Sequence, residues 1–260
     1  MDLHTILTCA GFVLGTALLT FAVYFGSRLI LGREFDSHTR DLAGSVIARV
    51  AALHGLILAL VFAQEIDDYH ALRDAMGREA TAVADIFNDI DRYGTPASGA
   101  VQGQLARYVD TVIHPEWESL AQTERLADEG WALRETVYQT LLDLVPETPR
   151  QVSLRDHMID RAQDIASLRQ QREDAAMSRM SGVFWLVALS GVVFVTVPYF
   201  VFPPTRLNMS LLIAYSAYTG LIMFTIYAFS NPFANPGRLD PGAFERLLET
   251  DIGAAATASG

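Results

Sequence analysis

Four apolar stretches constrain this chain more than any other feature, because each is long enough to cross a bilayer core, which takes about 20 helical residues. The first covers 6–31 and meets no ionised residue before Arg28. The second, about 43–63, contains Arg49 and His54, while 182–202 and 207–229 carry no charge. Four residues, Pro203, Pro204, Thr205 and Arg206, separate the last two, which predicts a tight antiparallel pair. The start, Met1-Asp2-Leu3-His4, lacks the basic residues of a secretory leader, and the apolar run after it is too long for one. The first stretch is therefore expected to remain as a membrane helix. The expected fold is an all-α membrane protein, with four transmembrane helices arranged as two hairpins and a helical-bundle soluble insert between spans two and three.

Charge divides the chain in the same way. Of the formal net charge of -11, nearly all lies in 64–180, which holds 22 acidic residues against 12 Arg. The expected domains are a first hairpin over 1–63, an acidic helical lobe over 64–180, a second hairpin over 181–230, and a tail over 231–260 with a short helix and a disordered end. An acidic chain excludes a nucleic-acid partner. All 19 basic residues are Arg and none is Lys, a composition that fits a GC-rich bacterial genome. Cys9 is the one cysteine, so neither an internal disulfide nor a thiolate zinc site is possible.

The lobe lacks the alternation of strands and reads as helices. Tyr69, Met76, Val83 and Ile90 recur every seven residues, with Leu72 and Ile86 on the same stripe. Span two is thus expected to continue as one helix to about Tyr93, ended by Gly94-Thr95-Pro96. A second lobe helix, with Leu105, Tyr108, Val109 and Val112 inward, is expected to stop near Pro115. A third is expected over about 123–144. A fourth, carrying Leu154, Met158, Ile165 and Leu168, should start after Pro149 and lead straight into span three. In the tail, Asp240 is expected to cap a short helix with Pro241 at its first position.

Several residues break these patterns. Glu79 occupies a core position between Leu72 and Ile86, where a carboxylate is costly unless paired. The fourth lobe helix offers Arg161, Arg169 and Arg172, and the helical rise puts Arg169 or Arg172 at the right height. A buried ion pair of Glu79 with Arg169 or Arg172 is expected, fixing helix register or serving an ion. His54 lies near the middle of span two, where an ionisable side chain marks either a functional site or a hydrogen bond to a neighbouring helix. Arg49, nearer the span's end, can snorkel to the head groups.

Small residues at fourfold spacing, Gly44, Ala48 and Ala52, then Ala51, Gly55, Ala59 and Ala63, suit either close helix packing or a symmetric pore. Asp67, Asp68, Asp85, Asp89 and Asp91 form an acidic rim that would concentrate cations or simply face water. No nucleophile, metalloprotease, phosphate-loop or dinucleotide motif occurs, and the six His are scattered. Neither enzymatic activity, a metal nor a cofactor is expected.

Some of these residues also form an ordered series: Glu79-Ala80, Tyr108, Glu116-Trp117, Arg169 and Arg172, then Trp185, Pro232-Phe233, Pro241 and Phe244. In that order and spacing the chain resembles the bestrophin-like family of four-span membrane proteins over about 33–248. The resemblance implies kinship to bestrophins, pentameric anion channels whose two membrane hairpins flank a helical soluble part. It therefore implies a homo-oligomer in a lipid bilayer that passes small ions. The chain departs from bestrophins in lacking an aromatic pore-neck run on span two and an acidic calcium clasp, so chloride selectivity and calcium gating do not carry over.

The short loops hold Arg28, Arg33, Arg40 and Arg206, which favours these loops in the cytoplasm and the lobe outside a bacterial inner membrane. Arg73, Arg78, Arg169, Arg172 and Arg179 near the lobe's membrane ends, and the bestrophin layout, argue the reverse. Two functions follow. One is an oligomeric ion channel or transport protein with its path lined by span two. The alternative is a non-conducting membrane scaffold or sensor whose lobe binds a partner protein.

Overall fold

In the computed structural model, which describes residues 2–32, 36–178, 180–249 and 252–253, all regular structure among the described residues is helical. Arg33, Arg179 and all but the first residue of the end expected to be disordered over 253–260 lie outside the described residues, and Gly253 itself is helical. The helices are α1 (Leu3–Leu31), α2 (Ser37–Tyr93), α3 (Ser98–Thr111), α4 (Trp117–Thr123), α5 (Asp128–Leu142), α6 (Pro149–Met177), α7 (Gly182–Thr196), α8 (Arg206–Phe229) and α9 (Gly242–Leu248). A π-helical turn, Val112–Glu116, joins α3 to α4, and a 3-10 turn, Val197–Val201, follows α7.

The chain forms two compact units. The first comprises Met1–Asp68, Met180–Asn231 and Asn235–Gly237. It contains the apolar parts of four helices long and apolar enough to cross a membrane: α1, α2, α7 with its 3-10 turn, and α8. Their outward surface is leucine-rich, with Leu7, Leu14, Leu18, Leu53, Leu60 and Leu186 all exposed, as suits contact with lipid tails. Inside, α1 packs along α8, and the Thr16 hydroxyl donates to the Ser216 carbonyl at 3.0 Å. Pro198 gives no N–H to a helix ladder, which accounts for the 3-10 geometry at the end of α7. The carbonyls at the open end of this turn are taken up from α1. Tyr24 donates to the Phe202 carbonyl at 2.8 Å, and Arg28 to those of Phe200 and Phe202 at 3.0 and 2.9 Å.

The second unit comprises Tyr69–Arg179, Pro232–Ala234 and Arg238–Gly260. Its core is the sevenfold stripe of α2 (Met76, Val83, Ile86, Ile90) against Leu105 and Val109 of α3, Val137 and Leu141 of α5, and Met158 and Ile165 of α6. The tail joins this core through Phe233, Leu239, Phe244 and Ile252. Gly94 stops α2 with a φ of 77°, a conformation open to glycine and strained for other residues. A capping box starts α6, with the Thr148 side chain on the Gln151 amide and Pro149 in the first turn.

Four local expectations fail for physical reasons. The helical path does not stop at Pro115; the wider π turn accommodates the proline's missing N–H, and helix resumes at Trp117. The next helix begins at Asp128 rather than near Thr123, because Glu124 takes a left-handed φ of 60° and closes α4. Between α6 and α7 the helix breaks at Ser178, and the Ser181 side chain caps the new start by accepting from the Val183 amide. In the tail, α9 begins at Gly242, one residue later than expected, and the Phe244 and Glu245 amides bond the Pro241 carbonyl. Asp89 also leaves the acidic rim. It is buried between His157 (Nδ1 to Oδ2, 2.8 Å), a partner that no local pattern reveals, and its i+3 neighbour Arg92 (Nη1 to Oδ1, 2.9 Å).

Candidate functional site

The most buried polar cluster lies in the second unit, where α2, α3, the π turn and α6 each contribute to one network. Glu79, Tyr108, Glu116, Arg169 and Arg172 are all essentially inaccessible to solvent. Arg169 and Arg172 sit three apart on α6, so both face inward beside Ile165 and Leu168. The π turn rotates Glu116 into the space between them.

Glu116 is the hub. Its Oε2 receives Arg169 Nη2 at 2.7 Å, and its Oε1 receives Arg172 Nη2 at 2.7 Å and Arg169 Nη1 at 3.1 Å. The Ala127 amide adds a bond to Oε2 at 3.3 Å. Arg172 Nη2 also donates to Glu79 Oε1 at 3.1 Å. Its Nε lies 3.0 Å from Glu79 Oε2, close enough for an ion pair yet off line for a hydrogen bond, and that oxygen accepts none. Tyr108 donates its hydroxyl to Glu79 Oε1 and accepts from Arg169 Nη1 at 3.2 Å. The structure therefore places Arg172 on Glu79, while Arg169 serves Glu116 and reaches Glu79 only through Tyr108. Arg161 takes no part; it pairs with Asp164 at 3.2 Å.

Two carboxylates face two guanidiniums, so the cluster is neutral when all four are ionised, the condition under which buried charge is tolerable. Burial pushes the Glu79 carboxyl above its ordinary range, against the opposing pull of Arg172 and Tyr108. Burial and the Glu79 charge hold the Tyr108 phenol well above its ordinary range. Burial disfavours the Arg172 cation, but Glu79, Glu116 and Tyr108 outweigh it and raise its affinity for the proton. The Glu79 shift has a definite sign. Above pH 4.5 the folded chain holds this proton more tightly than the unfolded chain, so the group's share of stability declines as pH rises toward its folded value. Replacing Glu79 by Gln should remove that decline from a plot of unfolding free energy against pH above 4.5.

Aromatic rings enclose the cations. Trp131 lies 4.8 Å and Tyr108 5.2 Å from the Arg169 guanidinium carbon, and Phe244 of α9 lies 5.5 Å from that of Arg172. Trp117, one residue past the hub, donates to the Leu239 carbonyl at 3.2 Å and packs edge-on against Phe233 at 5.3 Å. The tail is thereby tied to the network. Pro232, also buried, accepts from the Leu239 amide at 2.7 Å.

In the first unit, His54 is buried on α2. Its Nε2 donates to the Ala188 carbonyl at 3.1 Å, which puts a proton on Nε2, and the Tyr215 hydroxyl lies 3.4 Å from Nδ1. The contact exists because position 191 is glycine: a Cβ there would lie 2.2 Å from His54 Cδ2. Gly191→Ala should expel the ring and lower thermal stability in detergent by about 1–3 kcal/mol, an effect that a second change, His54→Ala, should largely relieve. Arg49 is exposed on the same helix. Among the described residues no group of His, Cys, Asp or Glu could hold a metal ion.

The sequence reading expects Arg169 and Arg172 in a buried ion pair but gives Glu116 only as part of a series, not as their second acid. Charge counting could have found it: two inward arginines on α6 against one inward glutamate on α2 leave a cation over, which requires a second buried acid.

The bestrophin-like domain model matches residues 14–244, so the chain belongs to the bestrophin-like family. The fold is similar to solved structures of a bacterial bestrophin homolog from Klebsiella pneumoniae. One variant of it has a TM-score of 0.67 at 13% identity, and another 0.66 at 13%, each covering 95% of this chain and 98% of that one. A further solved membrane protein gives 0.60 at 15% identity, covering 97% and 98%. At these identities the likeness establishes the fold. No curated protein matches the sequence.

Proposed function

We propose that this chain assembles with copies of itself into a membrane channel or transport protein whose ion path runs beside the apolar part of α2. The carrying observation is the division of that segment into three faces. At 100° per residue, His54 and Leu58 share the buried face, while Leu42, Leu53, Leu56 and Leu60 share an exposed leucine face suited to lipid. A third face holds Ala48, Ala52, Gly55, Ala59 and Ala63, all exposed within the single chain. A Cβ on Gly55 would meet nothing within 4 Å, so no neighbour inside the chain demands a glycine there. Small residues on a face that its own chain leaves open suit the approach of another copy or of a permeating ion. Kinship with bestrophins supports the same reading.

The Arg of the short connections, Arg28, Arg40 and Arg206, favour a cytoplasmic position for these and an extracytoplasmic lobe in a bacterial inner membrane. Cysteine labelling from each side of the membrane tests that placement.

Reconstitution in liposomes with an ion-flux assay tests the function. Wild-type protein should dissipate an ion gradient, and Gly55→Leu should reduce the flux at least about tenfold while the protein stays folded. A protein that passes no ion under any gradient would return the chain to the scaffold reading.

A further inference from the structure

The second unit carries a large open groove of about 1270 Å³ that the ion network does not use. Five arginines from three separate parts of the chain line it: Arg73 and Arg78 from α2, Arg161 from α6, and Arg238 and Arg246 from the tail. Against them stand three carboxylates, Asp74, Asp164 and Asp240. Asp164 is engaged by Arg161, while among the described residues no carboxylate lies within ion-pair distance of Arg73, Arg78, Arg238 or Arg246. The groove is thus a positive site on a lobe where acidic residues outnumber Arg by 22 to 12 over 64–180. Its floor is apolar, made by the buried Met76, Leu168 and Leu239.

We infer that this groove binds a phosphoryl-bearing anion. Chloride would leave a groove of this size mostly empty. Guanidinium forks match the oxygens of a phosphoryl group and bind them in pairs of parallel hydrogen bonds. Arginines from α2, α6 and the tail line this one groove, so that a phosphoryl group can meet more than one fork there. The apolar floor accepts the carbon part of the same molecule. The phosphoryl group is carried either by a soluble metabolite or by an anionic lipid headgroup, and the two sources differ in what they need to be presented in.

The test uses the full chain at low ionic strength, where these contacts are least screened. In the soluble arm, inorganic pyrophosphate is titrated against detergent-solubilised protein and binding is read by calorimetry. In the lipid arm, protein in nanodiscs of phosphatidylcholine is compared with protein in nanodiscs containing phosphatidylglycerol, and thermal stability is read. Saturable binding is expected in at least one arm. In the double variant Arg73→Gln/Arg238→Gln the affinity should fall at least about tenfold, the loss expected from removing charge-assisted hydrogen bonds. Arg107→Gln, an exposed arginine outside the groove, should leave it unchanged. Equal affinity in the double variant, or no saturable effect in either arm, overturns the assignment. So does a change in oligomer size in the double variant without any anion binding, which would give the groove to a second copy of the chain.

Discussion

Glu116→Ala should destabilise the protein by about 3–5 kcal/mol, the loss expected when one partner of a buried ionic network is removed. The reason lies in the hub's connections. Both Arg169 and Arg172 donate to Glu116 at 2.7 Å, and the Ala127 amide bonds it as well. Without this carboxylate, two fully buried guanidiniums would share only Glu79, whose Oε2 already accepts no hydrogen bond. Thermal unfolding in detergent should show the midpoint lower by about 10 °C for a chain of this size. If Glu116→Ala yields no folded protein, Glu116→Gln keeps the volume and gives a milder loss in the same direction. The double variant Glu116→Leu/Arg169→Met should recover much of the deficit, because apolar packing can replace a buried ion pair at little cost. A double variant as unstable as the sum of its single changes would show that the network's charge balance is not what the fold depends on.

How far the network was legible depends on which of its links are local. Glu79 interrupts a sevenfold apolar stripe, so its burial follows from helical periodicity alone. The inward pair Arg169 and Arg172 follows likewise from Ile165 and Leu168 on the same helix. Glu116 is different. Its inward direction is created by the π turn, and Val112-Ile113-His114-Pro115-Glu116 reads locally as a helix stop. The missing N–H of Pro115 has two outcomes, a break or a widened turn, and tertiary packing of Trp117 against Phe233 and Leu239 selects the second. Asp89 follows the same rule, since His157 is 68 residues away in sequence and nothing near Asp89 announces it. The four apolar spans needed no long-range information, because length and hydropathy are properties of each segment by itself. The small-residue face of α2 is the converse case: among the described residues nothing lies within 4 Å of where a Gly55 Cβ would stand.

Two glycines separate close packing from mere helix propensity. A Cβ on Gly130 would stand 2.6 Å from Arg169 Nη2, 2.7 Å from its Nη1 and 2.8 Å from Glu116 Oε2. Those atoms cannot move apart freely, because Arg169 is held by Glu116, Tyr108 and Trp131 at once. Gly130→Ala should therefore lower stability by about 2–4 kcal/mol, combining overpacking with loss of a charge-assisted bond. Gly99 in α3 offers the opposite environment: a Cβ there meets nothing within 4 Å. Gly99→Ala should be neutral or stabilising by up to about 1 kcal/mol, since alanine restricts the unfolded chain and favours the helix. The pair is compared by denaturant or thermal unfolding in one detergent. Equal effects would mean that α5 can retreat from the ion network without cost. The expected difference in sign would show that the arginine pair and the backbone of α5 form one packed unit, in which glycine at position 130 is required by the guanidinium it touches.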